Sequence, residues 1–344
     1  MLCLSARGWR VSSMPEPQLP RIAILGTGGT IAGAVATGVG YQSGRLTIAQ
    51  TLAALPDMSG CARISVEQVA NVGSQTIHYE IWAALARRVQ ALADSGEVDA
   101  VVITHGTDTL EETAYFLSLT VSTLLPVVLT GAMRPAHALG ADGIANVCHA
   151  IAAAACPDAR GRGVLVVMNE QIHSARDVQK MAANGLAAFA SPNRGGVGRV
   201  LGNAAVFHCA ALPQRSMQSP FAAFSDAAPA VVSILYSHGD LDVRLVKAML
   251  ALNPDGIVLA GVGDGNTTDS TLLMLGEAAG QGVAVVRASR TGSGDVMRNV
   301  EIDDDEYGFI AARDLNPQKA RILLMLALQK TRDCNALQGF FNNY

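Results

Sequence analysis

Short apolar runs alternate with amphipathic segments along most of this chain, and that alternation restricts its fold more than any other feature. The strand-like runs are Arg21–Gly26, Ala62–Val69, Ala100–Thr104, Pro126–Thr130 and Gly163–Met168. Between them, Ile77–Ala93 places Ile77, Ile81, Trp82, Leu85, Val89 and Leu92 on one helical face. A second helix pattern, Thr109–Thr120, carries Glu111 and Glu112 in its first turn, where carboxylates suit the helix dipole. The βαβα order predicts an α/β protein with a doubly wound, mostly parallel sheet.

The pattern breaks over Cys209–Ala230, a proline- and serine-containing stretch that reads as a linker. A smaller α/β unit follows, flavodoxin-like, with strands at Val231–Tyr236, Gly256–Ala260 and Val283–Ala288. Its helices are Leu241–Leu252, Asp269–Ala279 and Pro317–Gln329. The expected organisation is a disordered leader over 1–20, a large N-terminal catalytic domain over 21–208, a linker over 209–229 and a C-terminal domain over 230–344. No internal repeat is evident.

Two strand-like runs end in glycine–threonine turns: RIAILGTGGTIAG at Arg21–Gly33 and VVITHGTDTLEETA at Val101–Ala114. Strand ends are where α/β sheets place their chemistry. The first turn is not a dinucleotide fingerprint, because Ile31 stands where the third glycine after Gly26 and Gly28 would be. No Gly-Lys pair exists for a phosphate loop. Gly28 and Gly29 would instead let the backbone approach a small ligand and present Thr30. The next segment, Ala34–Arg45, carries Gly38, Gly40 and Gly44 around a lone Tyr41. It reads either as a mobile lid or as a surface loop with an incidental tyrosine.

In the second turn, Thr107, Asp108 or Thr109 could cap the following helix, and one of them could face a cleft. A threonine hydroxyl needs a base to act as a nucleophile at neutral pH. The chain has only four lysines against twenty-one arginines, and Lys180 is the sole lysine before Lys247. Lysine can release a proton where arginine cannot, so Lys180 in RDVQK is a candidate base, with an ordinary surface lysine as the alternative. Ser74 and Gln75, Asn266 in GVGDGN, and Glu301 in an acidic stretch also fall at turns or charge runs.

Half of the residues are apolar, 16% are charged and the net charge is −4, with no basic run. That argues against nucleic-acid and anionic-membrane binding. No apolar stretch is long enough for a transmembrane helix. The six cysteines form no CxxC or zinc spacing, and the seven histidines form no HExxH, so no metal site is expected. The N-terminus lacks the apolar core of a signal peptide, and Met14 is an alternative start. The expected compartment is cytoplasmic, with the periplasm open if the start lies elsewhere.

These segments together resemble the bacterial L-asparaginase family. TGGTIAG and THGTDTLEETAYF match its two signatures; NVGSQ, GAMRP, GVLVVMN, RDVQK, GVGDGN, EYGF and LNPQKAR follow in order and spacing from about Arg21 to Tyr344. The high-affinity, exported branch is the most similar. The resemblance implies that Thr30 attacks the side-chain amide to form an acyl-enzyme, with Tyr41 on the lid orienting it. It implies that Thr107, Asp108 and Lys180 activate water, and that Ser74, Gln75 and Asp108 bind the substrate's α-carboxylate and α-amine. Asn266 and Glu301 would come from a neighbouring subunit of a homotetramer, at the intimate dimer interface, with no cofactor and no metal. L-asparagine would be the substrate and L-glutamine a possible second one.

The chain departs from that family at Gly26 (usually Ala), Gly40 (commonly Asn) and Asp264 (usually Asn), and in MAANGLAAF after Lys180, usually Thr-rich. The cysteine pair of some exported members has no match in Gln90–Asp99 or Val121–Pro126. An amidotransferase subunit would need an added RNA-binding module and a basic surface. A non-catalytic binding module would be expected to lack one or more of Thr30, Thr107, Asp108 and Lys180.

Overall fold

The computed structural model describes residues 18–29, 34–35, 41–42, 47–210, 219–222 and 228–344. In chain order the larger unit contains β1 (Arg21–Gly28), β2 (Ala34–Val35), β3 (Tyr41–Gln42), α1 (Ile48–Leu52), β4 (Arg63–Val72), α2 (Tyr79–Ser95), β5 (Ala100–Thr104), α3 (Leu110–Thr120) and β6 (Val127–Thr130). It continues through α4 (Gly143–Ala155), β7 (Val164–Met168), β8 (Gln171–Ser174), β9 (Gln179–Lys180), β10 (Phe189–Ala190), β11 (Gly198–Leu201) and β12 (Ala204–Phe207). The smaller unit contains β13 (Val232–Tyr236), α5 (Val243–Leu250), β14 (Gly256–Gly261), α6 (Asp269–Gly280), β15 (Ala284–Ser289), α7 (Asp304–Tyr307), β16 (Phe309–Ala311), α8 (Pro317–Ala327) and α9 (Cys334–Asn343).

The larger sheet runs β12-β11-β8-β7-β6-β5-β1-β4. Strands β4, β1, β5, β6 and β7 are parallel, as the βαβα order requires. Successive residues of β1 and β5 enter opposite cores. Ala23, Leu25, Val101 and Ile103 pack with α2 and α3, whereas Ile22, Ile24, Ala100 and Val102 pack with α4. Both faces of the sheet are therefore covered, which is the doubly wound arrangement.

Beyond β7 the sheet becomes antiparallel through β8, β11 and β12. That edge was not foreseen. Asn169 and Glu170 connect β7 to β8 with φ of 48° and 66°, the positive-φ pair of a tight hairpin turn. Asn-Glu is a weak sequence signal for that turn, and the short, partly polar β8 has little apolar pattern of its own. The strand β16 and the helix α9 were likewise not anticipated.

The smaller sheet, β13-β14-β15-β16, is parallel throughout. One of its faces packs on α5 and α6. The other shares α8 and α9 with the core of the larger unit, where Leu323, Leu324 and Phe341 join Tyr115 and Phe116 of α3. The α3–α8 contact thus fixes the smaller unit against the helix that follows the THGTDT turn.

Glu112 is mostly buried at this contact. Burial pushes its carboxyl up to about 7, neighbouring Glu111 adds to that, and Arg321 of α8 opposes it. Burial pushes His105 and His173 the other way, down to about 4. Each histidine contributes stability that is complete above its ordinary value of 6.5 and is lost as pH falls toward about 4. Glu112 contributes stability that is complete below its ordinary value of 4.5 and is lost as pH rises through about 7. Two groups therefore outweigh one, and the melting temperature should climb between pH 4 and 6.5. Glu112→Gln should steepen that climb in thermal melts across the window; an unchanged slope would count against the burial account.

Candidate active site

The site gathers where β4, β1 and β5 end side by side. Gly28 pairs with Val72, and Gly26 pairs with Thr104, so residues 73–75, 29 and 105–108 leave the sheet at one end. The approach is close enough to demand glycine. Gly29 donates its N–H to Val72 O at 2.9 Å, has φ of 85°, and a Cβ on it would sit 2.3 Å from Gly106 Cα. A Cβ on Gly106 would in turn meet Ser74 Oγ at 2.7 Å. The GTGGT and HGTDT glycines thus bring the two turns into backbone contact.

Thr27 Oγ1 donates to Thr104 O at 2.9 Å across the same strand ends. Thr30 and most of Ala34–Arg45 lie outside the described residues. So does the side chain of Tyr41, although its backbone pairs with Val35 in a short antiparallel ribbon.

Lys180 arrives from β9. Its Nζ donates to Thr107 Oγ1 at 2.9 Å and to Asp108 Oδ1 at 2.7 Å. Thr107 is buried, the Lys180 side chain is 15% exposed and that of Asp108 is 61% exposed. The surface-lysine reading of Lys180 is therefore excluded, and the cluster opens to solvent on its carboxylate side. Ser74 Oγ accepts from the Asp108 N–H at 3.2 Å, and Thr109 Oγ1 donates to Ser74 O at 2.8 Å. Thr109 occupies the N-cap position of α3, but its hydroxyl caps nothing, because it is turned to Ser74 instead. Gln75 is exposed, and its amide folds over Gly73.

A buried polar chain supports this turn from behind and was missed in the sequence. Trp82 Nε1 donates to Thr113 Oγ1 at 2.8 Å, and Thr113 Oγ1 lies 2.9 Å from His105 Nε2. His105 Nδ1 lies 2.7 Å from Gly106 O. The neutral tautomer with a proton on Nδ1 satisfies both ends: Thr113 donates to Nε2, and Nδ1–H donates to Gly106 O. His105 is fully buried, and its depressed pKa keeps it neutral near pH 7. The GAMRP segment closes the next side. A Cβ on Gly131 would meet His105 O at 2.5 Å, and Asn146 Nδ2 donates to Gly131 O at 3.0 Å.

Asn266 and Glu301 form their own pair on the smaller unit, Asn266 Nδ2 donating to Glu301 Oε2. No hydrogen bond among the described residues joins this pair to Thr107, Asp108 or Lys180. Asn266 Oδ1 is buried without a donor. The turn carrying Asn266 is held by Arg287, whose guanidinium forms a fully buried ion pair with Asp304 and donates to Asp264 O at 2.8 Å.

Two departures from the family pattern find structural reasons. Asp264 Oδ1 accepts the Met297 N–H at 2.9 Å, so its carboxylate braces a neighbouring loop. At Gly26 a Cβ would lie 2.6 Å from Ile48 Cβ; the space an alanine methyl would need is taken by α1.

Residues 21–212 match the family model "Asparaginase, N-terminal", and residues 231–341 match the "Glutaminase/Asparaginase C-terminal domain". This chain belongs to the asparaginase family. It is 42% identical to a protein of Haemophilus influenzae named a probable periplasmic L-asparaginase, over 98% of this chain and 97% of that one. It is 43% identical to a glutaminase-asparaginase of Pseudomonas fluorescens, over 96% and 92%. It is 42% identical to L-asparaginase 2 of Escherichia coli, over 95% and 94%. The match to asparaginases thus spans both units and nearly the whole length.

Proposed function

We propose that the protein is an L-asparagine amidohydrolase, releasing L-aspartate and ammonia, with L-glutamine as a second, weaker substrate. The observation that carries this reading is the Lys180–Thr107–Asp108 cluster, whose members come from two separate segments and meet within hydrogen-bond distance. In the proposed reaction Thr30 Oγ1 attacks the side-chain amide carbon, with Tyr41 orienting the hydroxyl. The C–N bond breaks, ammonia leaves with the proton, and an aspartyl ester remains on Thr30. Thr107 and Lys180 then take a proton from water as it attacks the ester. Aspartate leaves, and Thr30 regains its proton.

The substrate is a zwitterion, so the site must hold both charges. Asp108, half-open to solvent, is suited to the α-amine. Ser74, Gln75 and backbone N–H groups are suited to the α-carboxylate. Strand-end N–H groups at the glycine turns can serve the developing oxyanion, where a lost donor typically costs ~10²–10³ in rate.

Asn266 and Glu301 would complete this site from a neighbouring subunit of a homotetramer. Leu245, Leu252 and Tyr236 expose apolar surface on the smaller unit, which a neighbouring subunit could cover. If so, Glu301→Ala and Thr107→Ala, each nearly inactive alone, should regain activity when refolded together as mixed oligomers. A mixture that stays inactive would place Glu301 within its own subunit's site. The periplasmic name of the Haemophilus influenzae relative favours the periplasm over the cytoplasmic reading.

Ammonia release from L-asparagine and L-glutamine, measured in parallel on purified protein, tests the function. Release from neither, in a folded oligomer, would mean another substrate or only a binding role.

A further inference from the structure

Glu111 follows Asp108 by less than one helical turn, yet it points away from solvent and is 4% exposed. A buried carboxylate is costly unless donors surround it, and here they come from two places. Its Oε2 accepts the backbone N–H of Lys180 at 3.0 Å. Its Oε1 accepts from the side-chain amides of Gln318 at 2.5 Å and Asn316 at 3.4 Å, at the start of α8. The N-terminal ends of both α3 and α8 meet at this one carboxylate, and both favour negative charge.

The next residue of α8 extends the same contact. Lys319 is 1% exposed, and its Nζ donates to Arg176 O at 2.8 Å and to Val178 O at 2.5 Å. Backbone groups of residues 176, 178 and 180 are therefore held from α8, two directly and one through Glu111. Lys180 reaches Thr107 from a strand of only two residues, β9, outside the main sheet. Its only ladder partner among the described residues is Phe189 of the equally short β10, and this clamp adds the contacts that tie its segment to α3 and α8.

We propose that Glu111, held by Asn316 and Gln318, is a positioning residue that sets Lys180 against Thr107, so that the smaller unit governs the reactivity of the larger unit's own site. This rests on the reading that Lys180 serves Thr107. Glu111→Gln would turn one amide donor toward another donor, either Lys180 N–H or Gln318. A displacement near 1 Å at a reacting group can cost ~10²-fold.

Glu111→Gln should therefore lower kcat by about 10–100-fold while KM stays within about twofold. Gln318→Ala should move kcat in the same direction by less. In a Lys180→Arg background, Glu111→Gln should add almost nothing, because two residues acting through one step are not additive. Circular dichroism and oligomer size accompany each variant, and Gln318→Ala carries the test if Glu111→Gln fails to fold. Normal kcat in folded Gln318→Ala and Glu111→Gln, or effects that multiply with Lys180→Arg, would overturn the proposal while leaving the Lys180 assignment standing. Wild-type turnover in Lys180→Arg would remove the assignment and the proposal together.

Discussion

Lys180→Arg keeps a basic side chain beside Asp108 and yet should lose about 10²–10⁴ in turnover, the usual contribution of a positioned acid–base group. The guanidinium stays protonated and cannot accept a proton from Thr107 or, through it, from water. It is also planar and bulkier than the side-chain nitrogen of Lys180, which donates at once to Thr107 Oγ1 and Asp108 Oδ1. Thr107→Ala should lose a comparable factor. Because both residues are assigned to the water step, each variant should still release ammonia in a burst stoichiometric with subunits. Rapid-quench ammonia assays check this. Near-normal steady-state rates in either folded variant would remove it from the mechanism.

Thr30→Ala should eliminate the burst and the turnover together. With no hydroxyl at the first turn there is no ester to form, and the loss should exceed that of either water-step variant, on the order of 10⁴-fold or more. The substitution removes one oxygen and one methyl at a turn whose close backbone contacts belong to Gly28 and Gly29, so the fold should survive. Equal burst amplitudes in Thr30→Ala and wild type would assign the attack to another residue.

Much of this architecture was legible because the parallel strands are short, apolar and separated by helices with one buried face. Val101, Val102 and Ile103 are fully buried in β5, and a run of that kind in a βαβ order leaves few alternatives. The antiparallel edge was not legible, since β8 and β12 are short and only partly buried and their pattern is set by neighbours. The placement of Lys180 beside Thr107 illustrates the same limit. Scarcity of lysine singled it out, but only the fold brings it across 73 positions of sequence to Thr107.

The first-turn place of Glu111 was legible in the sequence, but its buried partners were not. A glutamate in the first turn of a helix usually faces water and the helix dipole. Here its partner Gln318 lies 207 positions away, and local periodicity carries no information about such a neighbour. His105 suffered the same fate. In sequence it is one residue of a turn, whereas in the fold it links Thr113 to the Gly106 carbonyl. The glycines were more informative, because their requirement is local: Gly28 and Gly29 take positive φ at the point of closest approach.

The central claim is that Thr30 carries the covalent intermediate and the Thr107–Lys180 pair resolves it. Peptide mapping by mass spectrometry of Lys180→Arg, quenched in acid soon after mixing with L-asparagine, tests this most directly. The account predicts an aspartyl adduct on the peptide containing Thr30, absent when Thr30→Ala is added. An adduct on the peptide containing Thr107, or none in a variant that still shows the ammonia burst, would contradict it.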